Sequence, residues 1–115
     1  MYIKIHHDDA IYPPFELIEL PDSNSRDFLK ACYKAIDCDC IEVVQTVMRG
    51  LVMIVDESGK LREGWQAKHN IVATTLYGRY GLVDPIVGDV ILARVQNDEI
   101  VPLTPSDIER VMSLT

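Results

Sequence analysis

Two short segments, "GWQAKHN" (Gly64–Asn70) and "LYGRYG" (Leu76–Gly81), carry most of the side chains in this chain that could grip a ligand. Trp65, Tyr77 and Tyr80 supply flat rings, Lys68 and Arg79 supply cations, and Arg79 can hold an oxyanion with two parallel N–H donors. Gly78 and Gly81 permit close approach of another backbone or a ligand. Rings that stack on a base, with Arg or Lys on phosphate, are the chemistry of nucleotide recognition. The expected ligand-binding set is therefore Trp65, Lys68, His69, Asn70, Tyr77, Arg79 and Tyr80, and the expected guest is a small anionic, nucleotide-like molecule. A plainer reading competes with it. Tyr77 packs beneath a helix, Gly78 ends that helix, and Arg79 and Tyr80 sit in a solvated loop. The two segments also flank one helix, which separates them by roughly 12 Å or more. One protomer does not readily unite them across that gap, so a homo-oligomer is expected wherever such a site forms.

Other reactive side chains are less well arranged. "HHDD" (His6, His7, Asp8, Asp9) has ligand types suited to zinc, but neighbours on a strand point to opposite faces and do not converge. Cys32, Cys38 and Cys40 are odd in number and lack CxxC spacing, which points to reduced thiols and small core residues rather than a metal site. For nucleophilic catalysis they would need a histidine, and His69 is the only one outside the N-terminal pair. GxSxG, P-loop, HExxH and GxGxxG motifs are all missing from the sequence. No cofactor, no metal and no enzymatic activity are expected. Asp84 and Asp89 in "DPIVGDV" read first as turn formers.

The elements that must hold these residues follow from periodicity. "MYIKIH" alternates as a half-buried strand does, and after Pro13-Pro14 the alternation resumes at Phe15, Leu17 and Leu20. "PDSNSRDFLKACYKAID" turns helical, with Asp22, Ser23 and Ser25 all competent N-caps and Phe28, Leu29, Cys32 and Ile36 at helix spacing. "CIEVVQTV" and "GLVMIVD" are β-branched runs joined by a hairpin signal at Met48-Arg49-Gly50. "DESGK" turns the chain towards "NIVATTLYG", a short helix that Asn70 caps and Gly78 ends. "GDVILARV" and "EIVPL" form a strand pair around "QND". In "TPSDIERVMSL", Thr104, Pro105 and Asp107 take the N-cap, N1 and N3 positions of a near capping box. Hairpins alternating with helices imply an α+β domain over residues 1–115: a mostly antiparallel sheet of five to six strands with two to three helices packed on it.

Composition bounds the function classes. With 115 residues, 48% of them hydrophobic and 25% charged, the chain is one ordinary globular domain. It has no apolar run long enough for a membrane span and no visible secretion signal, so the cytoplasm is the expected location. A net charge of −7 opposes direct nucleic-acid binding. Between Arg49 and Arg94 six cations face five anions, a balance of +1 that leaves −8 for the remainder. The middle is thus where an anionic guest is expected.

"CIEVV", "IVDESGKL", "NIVATTLYG" and "DPIVGDVIL", in this order and spacing over about Leu29 to Ala93, resemble a small domain of unknown function common in phages, plasmids and conjugative elements. Asp39-Cys40 stands where that family usually has Gly-Gly, and Lys68-His69 where it often has Leu-Pro. The resemblance implies a mobile-element setting, a host-cell cytoplasm and interference with host defence, and it assigns no catalytic residue. The leading expectation is a non-enzymatic binder that sequesters a nucleotide-like ligand. The alternatives are an acidic modulator that binds a host protein, of anti-restriction type, and an uncharacterised enzyme.

Overall fold

The computed structural model describes residues 1–114. Strands β1 (Tyr2–Ile5), β2 (Phe15–Ile18), β3 (Ile41–Gln45), β4 (Leu51–Asp56), β5 (Val90–Gln96) and β6 (Glu99–Val101) alternate in pairs with helices α1 (Phe28–Ile36), α2 (Ile71–Tyr77) and α3 (Pro105–Met112). The strands form one six-stranded sheet in the order β2-β1-β5-β4-β3, with β6 paired to β5 off this path, and every pairing is antiparallel. β1 and β6 lie in tandem along the same side of β5, with Ile3 opposite Leu92 and Val101 opposite Arg94. The expected α+β class and element order are those of the structure.

Period-two alternation decides the layering. On β4, Leu51, Met53 and Val55 pack with Ala73 and Leu76 of α2 and Val111 of α3. Val52 and Ile54 point the other way, onto Phe28, Cys32 and Ile36 of α1. Helices therefore cover both faces of the sheet, and β4 and β5 read as nearly continuous apolar runs because both their faces are buried.

The helix ends show where local reading succeeds. Thr104 and Asp107 complete a reciprocal capping box with Pro105 at its start. Asn70 caps α2 by accepting from the Ala73 N–H. The N-cap of α1, by contrast, is Asp27, and it makes no side-chain cap bond. Asp22 and Ser25 instead tighten the preceding turns, accepting from the Asn24 and Asp27 N–H groups. Leu29, expected on the buried stripe, is 49% exposed, because the buried face of α1 runs through Phe28, Cys32 and Ile36, with Ala35 at its side. No helix among the described residues is long and apolar enough to cross a membrane.

Candidate functional site

The residues around α2 form neighbouring hollows rather than one. Trp65, half-buried on a short 3-10 turn (Trp65–Lys68), shares a hollow of about 120 Å³ with Lys68, Arg62, Glu63, Asp56 and Gly88. Tyr77 and Tyr80, their ring centroids 5.7 Å apart, line a groove along β3 with Glu42, Val43, Val44 and Gln45. Between them lies a hollow of about 220 Å³ bounded by Glu42, Asp56, Glu57, Lys60, Tyr77 and Asp84. Asp56 and Val87 are common to the first and middle hollows, and Glu42 and Tyr77 to the middle hollow and the groove. His69 opens elsewhere, beside His7, Asp8 and Asp9. Arg79 is exposed and lines none of these concavities.

Asn70 is committed to the fold. It is fully buried; its Oδ1 accepts from Ala73 N, and its Nδ2 donates to the carbonyls of Ile5 (3.1 Å) and Gly88 (2.9 Å). Its backbone N–H donates to Ile86 O. Every polar group of Asn70 but its carbonyl is thereby occupied in tying α2 to β1 and to the turn before β5, and the carbonyl accepts from Thr74 N. The close approaches foreseen at the two glycines are also internal. A Cβ on Gly78 would lie 2.5 Å from Val47 Cγ1, and one on Gly81 would lie 2.7 Å from the Thr74 carbonyl oxygen.

Electrostatics separate the hollows from the charge balance of the sequence. Three of the six mid-chain cations are held in ion pairs: Lys60 with Asp84, Arg62 with Asp56, and Arg94 with Asp107. The middle hollow thus presents Glu42, Asp56, Glu57 and Asp84 against Lys60, with Arg62 reaching Asp56 from beside it, a balance of two carboxylates in excess. Burial lowers the Lys60 ammonium below its ordinary value, with Glu42 opposing the shift. This hollow is acidic on balance because Lys60 and Arg62 are taken up by two of its carboxylates, whereas Lys68 lines the neighbouring hollow.

Asp89, read from sequence as a turn former, anchors a second cluster. The His7 N–H donates to its Oδ1, the His7 Nδ1 lies 2.6 Å from the same atom, and Lys4 Nζ is 3.6 Å from Oδ2. Burial raises the Asp89 carboxyl, but the bonds from His7 and the Lys4 charge outweigh it and hold it below its usual value. Only the register of β1 on β5 brings these residues together, so no local signal marks them. Among the described residues no group of His, Cys, Asp or Glu could hold a metal ion. The cysteines are unpaired, and burial, followed by the charge of Cys38, pushes the Cys32 thiol up to about 11. Cys40 Sγ donates to a Glu57 carboxylate oxygen at 2.8 Å.

Fold and site together define a small α+β domain with helices on both faces of its sheet and an acidic, aromatic margin along β3. The chain belongs to the family of domains of unknown function DUF3846, whose model matches residues 6–115. No curated protein and no solved structure matches the chain.

Proposed function

We propose that this domain is a non-enzymatic binding protein that docks its acidic margin onto a basic surface of a partner protein. The observation that carries this reading is the middle hollow, where Lys60 pairs with Asp84 and Arg62 with Asp56, leaving Glu42 and Glu57 as two carboxylates in excess. An anionic guest would meet repulsion there, whereas a cationic side chain would find both charge and the Tyr77 ring. In the mobile-element setting that the sequence resemblance implies, the partner is a host factor. The test compares the wild type with a Glu42→Gln/Asp84→Asn double variant as bait in host lysate. We expect one protein retained at low salt, released as salt rises, and held about tenfold more weakly by the variant, as befits the loss of charged contacts across an interface. Equal retention by the two baits would rule out docking through this margin.

A second reading, capture of a small anion, is favoured by one arrangement: Trp65, Lys68 and Arg62 around the 120 Å³ hollow. That volume is below the roughly 300 Å³ at which ligand pockets usually begin. A nucleotide would therefore protrude, or be completed by a second copy. Cyclic dinucleotides and ADP-ribose derivatives at millimolar concentration are expected to leave the melting temperature unchanged. Stabilisation by any of them, lost in Trp65→Ala, would establish this reading instead.

A further inference from the structure

Among the described residues β3 is the last strand of the sheet and pairs only with β4. The hydrogen-bond phase of that pair is fixed at its two ends. Glu57 N donates to Cys40 O, and Thr46 N donates to Leu51 O. Bonded positions alternate along an antiparallel pair, so Cys40, Glu42, Val44 and Thr46 direct their backbone groups to β4. Ile41, Val43 and Gln45 direct theirs outward, and no backbone bond among the described residues reaches those groups from the outer side. Natural edges are commonly blunted by proline, lysine, a bulge or a covering element. This one has none of the first three within Ile41–Gln45, and Val43 is 46% exposed.

The side chains flanking the edge differ between the two faces. Val44 packs on the α2 side of the sheet, and Glu42, two residues away, shares that side. There the groove of Tyr77 and Tyr80 runs into the carboxylate hollow. Ile41 packs on the α1 side, which places Val43 on that side too. We propose that β3 receives an extended, basic segment of a partner protein as an added strand, with alternate lysine or arginine side chains over Tyr77, Tyr80 and the Glu42–Asp84 hollow and apolar side chains against Val43. This rests on the docking reading above and specifies its mode. Charge complementarity selects the occupant. A second copy of this chain would bring Glu42 and the acidic hollow against their own duplicates, whereas a basic strand matches backbone, charge and ring faces at once.

A strand of this kind has a defined phase. Added antiparallel, as every strand of this sheet is paired, the partner residue that bonds to Val43 lies directly opposite and shares its face, so in a partner alternating lysine and valine the valine amides point at β3 and the lysine amides point away. The probe is a capped seven-residue peptide of alternating lysine and valine, titrated into the isotope-labelled full chain. We expect amide shifts centred on Ile41, Val43 and Gln45, no comparable shifts with an alternating glutamate–valine peptide, and about tenfold weaker binding to Glu42→Gln/Asp84→Asn. N-methylation of the valine amides is expected to abolish binding, while N-methylation of the lysine amides leaves it intact. If both methylated peptides bind like the parent but the acidic control does not, strand addition is wrong and charge-driven docking stands. If the acidic peptide binds as well as the basic one, or neither binds, docking and strand addition fall together. A β3–β3 dimer detected by sedimentation, with Val43 amide shifts on dilution, would assign the edge to a second copy and overturn the proposal.

Discussion

Asn70→Ala is expected to lower the melting temperature by about 15 °C, the equivalent of roughly 4 kcal/mol in a domain of this size. The side chain that disappears serves three backbone groups at once: it accepts from Ala73 N and donates to the carbonyls of Ile5 and Gly88. Those groups lie where water does not easily replace the lost partner, since Asn70 is fully buried. Each orphaned buried group costs about 1–3 kcal/mol, about twice the net worth of a typical intramolecular hydrogen bond. Loss of a helix cap alone would cost only about 1 kcal/mol. Asn70→Asp separates the two roles, because it keeps the acceptor at Ala73 N but sets a carboxylate against two carbonyl oxygens. At neutral pH it is expected to be no more stable than the alanine variant. A denaturation curve within 1 kcal/mol of wild type for Asn70→Ala, on the scale of the cap effect alone, would show that α2 does not depend on this residue for its attachment.

The second large effect is expected at Asp107, whose two oxygens accept from Arg94 Nε (2.6 Å) and Nη2 (2.5 Å). The same carboxylate accepts from the Thr104 N–H, so it joins β5 to the first turn of α3. Asp107→Ala removes the reciprocal cap and leaves Arg94, whose side chain is 26% exposed, without its partner. The expected cost is about 3 kcal/mol, at the lower end for breaking a buried pair because water reaches the guanidinium. The pH dependence gives an independent signature. The Arg94 guanidinium, together with the Thr104 bonds, holds the Asp107 carboxyl well below its ordinary range despite the opposing effect of burial. A carboxyl depressed by folding contributes stability that is complete above its unfolded value, near pH 4, and is lost as pH falls toward its folded value. Melting temperatures of the wild type and Asp107→Asn should therefore differ most at neutral pH and converge below about pH 4. A gap that stays constant with pH would show that the charge of Asp107 is not what stabilises this corner.

These two residues mark how far local reading carries. Asn70 and Asp107 both stand out in the sequence as cap residues, because a cap is set by spacing within four residues. Their longer reach does not stand out. The contacts of Asn70 to Ile5 and Gly88 depend on how β1 pairs with β5, and that of Asp107 to Arg94 on where α3 lies on the sheet. The same division explains the site. Tyr77, Tyr80, Trp65 and Lys68 line concavities as their types suggest, but Glu42, Asp56, Glu57 and Asp84 come beside them only through the β3–β4 register and the loop that follows α2.

The sequence by itself determined the nine strands and helices in their order, the antiparallel hairpins, the two side-chain caps and the family, because periodicity, turn residues and cap spacing act over a few neighbours. Tertiary structure alone decided that helices cover both faces of the sheet, that β3 is left at the margin, and that mid-chain cations fold against carboxylates. The sign of the charge presented around α2 depends on those ion pairs. They form between residues as far apart as Lys60 and Asp84, whose meeting no local pattern encodes.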